Sequence, residues 1–268
     1  MNFGLYAAYL GMRGRQQQLD LLANNIANAS TAGFKGDRLL YRSVAAAKQA
    51  GDENPGNANA TAGTASTTTN EKTPNLTPIR YGIDVGVLTA QTTDFSSGSI
   101  RDTGRSLDIA LNGDGFLVVQ TPRGERYTRQ GSLTLDNSGQ LVTQRGDLVV
   151  GEGGPITLPP GNVGFGEDGT ISVNGQTVGQ LKLVRFGHPA HALVKEGDCL
   201  FAASGLEPAQ EATDTRVAQG ALELSNVNSL TEMVAMMQNS REFESLQKSV
   251  STLMNELGRK VANELGKL

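Results

Sequence analysis

The chain has 268 residues, a formal net charge of −4, 38% hydrophobic and 5% aromatic residues, no Trp, 33 Gly and a single Cys. Lean hydrophobic content with abundant glycine favours an extended or β-rich body over a compact enzyme. The acidic balance without a basic face argues against a nucleic-acid partner, and the lone Cys199 excludes an internal disulfide framework. No apolar run approaches the ~20 residues of a membrane helix, and the N-terminus lacks the basic and apolar regions of a cleaved signal. Direct membrane insertion is therefore not expected, and any export follows another route.

In the first segment Leu5, Ala8, Met12, Arg15, Leu19, Leu22 and Ile26 recur at steps of three and four. Only Arg15 breaks the apolar series, and an arginine stem can lie along a seam while its head reaches water. The spacing predicts a helix with a heptad-like seam. It runs into "ANNIANASTAGFK", where Asn24, Asn25 and Asn28 cluster before Ser30, Thr31 and Gly33. These residues suit a helix stop, since short polar side chains bond exposed backbone groups and Gly adopts positive φ. Two readings stand side by side: a frayed helix end, or paired donors and acceptors that lock a lateral contact between identical subunits.

Residues 45–78 hold almost no large apolar side chain, so burial cannot offset their ordering and a linker or extended arm is expected. From Tyr81 to about Val217 the apolar period becomes two, with "PRG", "DNSG", "RGD" and "NG" between short runs. That pattern predicts roughly ten strands in consecutive hairpins. The last segment returns to helical spacing through Leu230, Val234, Met237, Phe243, Leu246, Val250, Leu253, Leu257, Val261 and Leu265, with Ser240 filling one step. A helix from about Ser229 to Leu265 would be roughly 55 Å long, capped by Ser225 or Asn228.

The fold class expected is α+β, with long terminal helices pairing as an antiparallel coiled coil around a central β-rich domain. The domain limits read as 1–44 for the N-terminal helix and assembly motif, 45–80 for the linker or arm, 81–221 for the β domain and 222–268 for the C-terminal helix.

Catalytic signatures are weak. "NGDGF" at 112–116 lies between strand-like runs and opens no helix, so it reads as a tight turn rather than a phosphate loop. His188, His191 and Cys199 follow no zinc spacing. Asp108, Asp114 and Glu125 sit beside turns in charged company, where solvated surface roles are the default, and "RGD" at 145–147 reads as a turn. No catalytic residue, metal site or cofactor is expected.

"LDLLANNIANASTAGFK" resembles the N-terminal signature of bacterial flagellar axial proteins, the rod and hook components, whose usual form is close to ANN-L-AN-V-N-T-x-GFK; here Ile26, Ala29 and Ser30 occupy the three variant places. "SLDIALNGDGFLVVQTPRGERYTRQGSLTLDNSGQLVTQRGDLVVG" is similar to the β-domain stretch of rod and hook members. "QGALELSNVNSLTEMVAMMQNSREFESLQKS" is similar to their C-terminal signature around Ser225, Asn226, Val227 and Asn228. The matches come in family order and leave out mainly residues 45–78.

The resemblance implies a non-enzymatic rod subunit, self-assembling through its terminal helices into a tubular drive shaft that transmits torque. It implies an assembly motif of Ala23, Asn24, Asn25, Ile26, Ala27, Asn28, Thr31, Gly33, Phe34 and Lys35. The N-terminal seam would be Leu5, Met12, Leu19, Leu22 and Ile26. The C-terminal motif Ser225 to Asn228 would lead into a seam of Leu230, Val234, Met237, Phe243, Leu246, Val250, Leu253 and Leu257. Implied partners are copies of the chain, other rod and hook axial proteins, the flagellar type III export apparatus and, as a further candidate, the surrounding basal-body rings. Implied location is the periplasm-spanning rod of the basal body, reached without a cleaved signal peptide. "VGQLKLVRF", "KEGDCLFAASG" and "REFESLQKS" favour the proximal rod, whereas the insertion at 45–78 also suits distal rod members. An extracellular β-rich binding module on a coiled-coil stalk is an alternative, but zero Trp leaves it short of an aromatic platform; a β-rich hydrolase is another.

Overall fold

A computed structural model of the chain describes residues 3–45 and 85–265. Most of the expected linker or arm, residues 46–84, lies outside them. The chain divides into two compact units, Met1–Arg38 with Gln91–Leu268, and Leu39–Ala90. Helix α1 (Phe3–Ala27) leads to strand β1 (Asp37–Ala45), which forms a two-stranded sheet with β2 (Val85–Thr93). The class is α+β: an N-terminal helix, a C-terminal helix and a central β-rich domain.

Short strands follow: β3 (Ile100–Asp102), β4 (Ile109–Asn112), β5 (Phe116–Thr121), β6 (Gly124–Thr128), β7 (Leu133–Leu135), β8 (Leu141–Thr143), β9 (Leu148–Gly151) and β10 (Gly154–Pro155). Strands β5 and β6 are a hairpin whose pairing runs to Thr121 opposite Gly124, so Pro122 and Arg123 make the two-residue turn. Strands β7, β8 and β9 continue as antiparallel hairpins through the "DNSG" and "RGD" turns. "NGDGF" is the turn between β4 and β5, with Gly113 at φ 122°.

Next come β11 (Val163–Phe165), β12 (Thr170–Val173), β13 (Gln176–Gln180) and β14 (Leu183–Arg185). The β12–β13 turn is Asn174-Gly175 with φ values of 52° and 83°, the two positive angles a type I′ hairpin requires. The short helix α2 (Pro189–Ala192) precedes β15 (Leu193–Gly197), β16 (Leu200–Ala203), β17 (Gln210–Glu211), β18 (Arg216–Gln219), β19 (Ala221–Glu223) and the 37-residue helix α3 (Ser229–Leu265). Of the nineteen strands among the described residues, seventeen begin within the stretch from Tyr81 to Val217 where about ten were expected, and β1 lies in a segment where no strand was expected. The difference lies in strands of two to four residues, too short to show a period of their own.

Strand β5 shows why the body is stable with few large residues. Leu117 and Val119 enter a core with Ile109, Leu133, Leu141, Val149 and Ile171. Phe116 and Val118 enter a second core with Tyr127, Phe186 and Phe201. Alternation along one strand therefore feeds two cores, one on each face of the main sheet. The aromatics of the second core meet edge to face, Phe116 with Phe186 at 6.1 Å and Tyr127 with Phe186 at 5.0 Å.

One expectation is corrected. Asp108 is not a solvated surface carboxylate but 1% exposed. Its backbone bridges Ser132 and bonds Gly220, which draws the residue under the β3–β4 turn, and Thr103 Oγ1 donates to its Oδ2 at 2.8 Å. Asp114 and Glu125 are at the surface, as expected, and Glu125 accepts from Lys182 Nζ at 3.4 Å.

Candidate assembly junction

The asparagine-rich stop joins α1 to the β body. Asn25 is buried, and its amide pairs with one residue of β1 twice: Nδ2 donates to Asp37 O at 2.9 Å, and Asp37 N donates to Oδ1 at 3.0 Å. The side chain supplies the bonds a neighbouring strand would, and so fixes how the helix meets β1. Asn28 turns onto its own helix, donating from Nδ2 to Asn24 O at 2.9 Å, and Thr31 Oγ1 reaches Asn28 Oδ1 at 3.4 Å. Asn24, Ala23 and Ala27 are exposed, and Ile26 is half-buried. Gly33 adopts φ 70° and donates its N–H to Glu223 O at 2.8 Å. A Cβ there would stand 2.5 Å from Gln130 N, so only glycine fits.

Beyond the glycine, "FK" enters the body. Lys35 is fully buried; its Nζ lies 2.7 Å from Glu223 Oε1 and donates to Ser96 O at 2.8 Å. Glu223, itself 1% exposed, also accepts from Gly98 N at 2.9 Å and pairs with Arg129 Nη1 at 3.3 Å. Arg129 in turn donates to Gly113 O at 2.6 Å and stacks over Phe116. Burial pushes the Lys35 ammonium below its ordinary pKa, opposed by the hydrogen bond and charge of Glu223. Phe34 is buried under Lys195 Nζ, 3.9 Å from its ring centroid. Lys195 donates to Lys35 O at 2.7 Å and meets Asp37 Oδ2 at 3.1 Å. The Asp37 carboxylate is completed by Thr93 Oγ1 at 2.7 Å and Gln91 Nε2 at 3.0 Å.

The C-terminal motif closes the junction from the other side. Gly36 N donates to Asn226 Oδ1 at 2.8 Å, and Asn226 Nδ2 donates to Asp94 O at 2.8 Å. Ser225 Oγ accepts from Val227 N at 3.1 Å. Asn228 Oδ1 caps α3 by accepting from the N–H groups of Leu230 at 3.0 Å and Thr231 at 3.2 Å. The structure thus brings Asn25, Gly33, Phe34, Lys35 and Asn226 into one network, while Ser225 bonds Val227 within its own turn. Asp37, Arg129, Lys195 and Glu223 complete it and escaped sequence reasoning. The one available signal was Glu223 itself, an acid flanked by Leu222 and Leu224.

Helix α3 packs on α1, but not by the whole predicted line. Leu22 is buried and Met12, Leu19, Ile26, Phe243, Leu246 and Val250 are half-buried. Leu230, Val234 and Met237 instead stand in water at 71%, 43% and 56% exposure, with Met233 beside them. Asn239, which no apolar count would select, is buried against Arg15. Leu253 is exposed, and the side chains of Leu5 and Leu257 lie outside the described ones.

Elsewhere, His188 Nδ1 lies 3.1 Å from Glu207 Oε1 in an exposed pair. Burial pushes the Cys199 thiol up to about 11, and it points at Ala32 O at 3.8 Å. Among the described residues no group of three or more His, Cys, Asp or Glu is arranged to hold a metal ion.

Residues 5–35 match the family described as "Flagella basal body rod protein". Residues 110–173 match "Flagellar hook protein FlgE/F/G D1 domain", and residues 218–263 match "Flagellar basal body rod FlgEFG protein C-terminal". The chain is 34% identical to flagellar basal-body rod protein FlgF of Caulobacter vibrioides, covering 100% of both chains. The chain belongs to the flagellar basal-body rod protein family. It is also 33% identical to the rod protein FlgG of Bacillus subtilis over 92% of this chain and 94% of that one. Flagellar hook protein FlgE of Brucella abortus matches at 35% over 49% of this chain and 26% of its own length. Members of this family are structural subunits of the flagellar basal body, not enzymes. The first matched segment ends at Lys35 and the last contains Glu223, so the buried pair joins the two.

Proposed function

We propose that this family member is a rod subunit whose terminal helices pair antiparallel, as a short coiled coil, and polymerise into a tubular shaft that carries torque. The observation behind this reading is the outward line of Leu230, Met233, Val234 and Met237, apolar and in water while α1 occupies the other face. Burying each such side chain contributes about 1.5–3 kcal/mol, available only when a neighbouring axial subunit covers the line. Contacts of that kind, repeated without closing, generate a helical tube. Antiparallel pairing is supported by two contacts: Asn226, three residues before α3, meets Gly36, nine residues after α1, while Asn239, ten residues into α3, meets Arg15, twelve before the end of α1.

In this reading the junction passes torque from the helices to the body, and the assembly motif acts mainly by aiming them. Exposed Asn24, Ala23 and Ala27 would supply lateral contacts. The proximal rod is favoured on the segments "VGQLKLVRF", "KEGDCLFAASG" and "REFESLQKS". Export through the flagellar type III apparatus without a cleaved signal, and contact with the surrounding rings, belong to the same proposal.

Met237→Asp tests it. In cells dependent on this chain, the variant should fold with unchanged circular dichroism yet leave basal bodies without a completed rod. Rods assembled at the wild-type level would overturn the reading. Leu246→Asp, within the α1–α3 contact, should also block incorporation while leaving the β body folded.

A further inference from the structure

Helix α3 is longer than the helix it packs on, with 37 residues against 25 in α1. Asn239 Nδ2 donates to Arg15 O at 3.0 Å, and Phe3, where α1 begins, lies about twelve residues before Arg15. With the antiparallel pairing proposed above, α1 runs out near Ser251, and roughly fourteen residues of α3, about 21 Å, pass beyond it. Exposure follows this limit. Phe243, Leu246 and Val250, on the face toward α1, are half-buried, whereas the described side chains from Ser251 to Asn263 are all exposed. Leu253 and Met254 stand three and four residues after Val250, on the same face, yet are 43% and 53% exposed. The seam continues where its partner has ended.

The same helix carries a second unfilled line. Leu230, Met233, Val234 and Met237 are exposed near its start. The spacing then passes to the charged, exposed Arg241, Glu244 and Lys248, so this apolar line is about two turns long. Leu253 is turned about 160° from Met237 around the helix, which puts the two lines on nearly opposite faces as well as at opposite ends. A chain cannot close them on each other. Nor can a two-fold partner, because a straight helix does not turn both faces to one neighbour. Pairing the early line of one copy with the late line of another leaves one line free at each end, a heterologous and open-ended contact.

We infer that the terminal extension of α3, through Leu253 and Met254, takes the Leu230–Met237 line of a second copy of this chain. The seam it continues is filled lower down by a helix, α1, so a helix is the shape that fits. Among the described elements, the helix with an apolar line still unfilled is α3 itself. In the sequence the spacing of the extension runs on through Leu257 and Val261, giving it about the same two turns as the line it meets. The inference rests on the proposed function for the antiparallel pairing and the use of the outward line, and deepens it by naming the surface that covers that line.

Complementary variants of the full chain test this by sedimentation velocity. Met254→Asp spoils the extension and Met237→Asp the outward line; both positions are exposed, so helix content by circular dichroism should match wild type. Met254→Gln or Met237→Gln replaces either variant that loses helix. At a concentration where the wild-type chain forms a graded series of oligomers, each variant alone should be monomeric, its association weakened about tenfold or more by the loss of one apolar side chain from the contact. An equimolar mixture should form 1:1 dimers that do not grow, since the Met237→Asp chain keeps its extension and the Met254→Asp chain keeps its outward line. A mixture that remains monomeric overturns the pairing, as does a wild-type chain monomeric up to its solubility limit or a Met254→Asp chain that associates like wild type. Dimers of the Met237→Asp chain alone mean that the extension meets itself, which overturns it too. If rods are lost in cells carrying Met237→Asp while the mixture stays monomeric, the proposed function stands and this pairing falls.

Discussion

Lys35 Nζ sits 2.7 Å from Glu223 Oε1, and neither side chain retains appreciable contact with water. Together they tie the segment after the first helix to the last strand of the body. Glu223 also pairs with Arg129, so removing it strands two buried cations, whereas removing Lys35 leaves the carboxylate one partner. Glu223→Gln should destabilise the full chain by about 3–5 kcal/mol in equilibrium denaturation. Lys35→Met should cost less, because Arg129 still compensates the carboxylate. A single variant within about 0.5 kcal/mol of wild type would show that the pair does not hold the junction.

Asn25→Ala removes both bonds to Asp37 and leaves its buried N–H and carbonyl without their side-chain partner. The expected cost is about 1–3 kcal/mol. Hydrogen exchange at the Asp37 amide should speed up before exchange in the β5–β6 hairpin does. Equal acceleration everywhere would mean that Asn25 supports the fold globally rather than the junction.

Gly33→Ala forces a side chain into φ 70° and against the Arg129–Gln130 backbone. A loss of about 1–3 kcal/mol is expected from conformation alone, with more if the chain cannot shift. Gly146, at φ 90° with open space around it, offers a control: Gly146→Ala should cost less than Gly33→Ala.

Acid should act on the body through carboxylates held below their ordinary values. In Glu196 the cause is the Arg126 hydrogen bond, followed by the charge of Arg123. In Glu207 it is the His188 backbone N–H, and in Asp168 the Thr170 hydroxyl. In Asp94 burial pulls upward but is outweighed by hydrogen bonds from Ser96 and the charge of Arg38. Each folded pKa is depressed, so the linked stability is complete above the ordinary values of 4.5 for Glu and 3.8 for Asp and is lost as pH falls through the folded ones. Tm should therefore be level from neutral pH down to about 5 and fall below about 4.5. Glu196→Gln should flatten part of that fall, and a Tm independent of pH down to 2 would contradict the assignment.

The sequence by itself determined the two helices, the hairpin body and the stop at Gly33. Each is written in local terms: Asn228 caps within its own turn, Asn174-Gly175 carries the two positive φ angles of a hairpin, and β5 alternates between two cores. It also carried the flagellar signatures, which lie in contiguous runs. Only the tertiary structure decided what the signature residues do. Lys35 and Glu223 meet across 188 positions, Asn25 bonds β1 rather than a helix neighbour, and Asp108 is drawn under a turn by Gly220 and Ser132. The place of Asn239 in the α1–α3 contact was hidden for the same reason. Apolar spacing selects Phe243, Leu246 and Val250 but not Asn239, whose bond to the Arg15 carbonyl is directional and joins segments 224 positions apart.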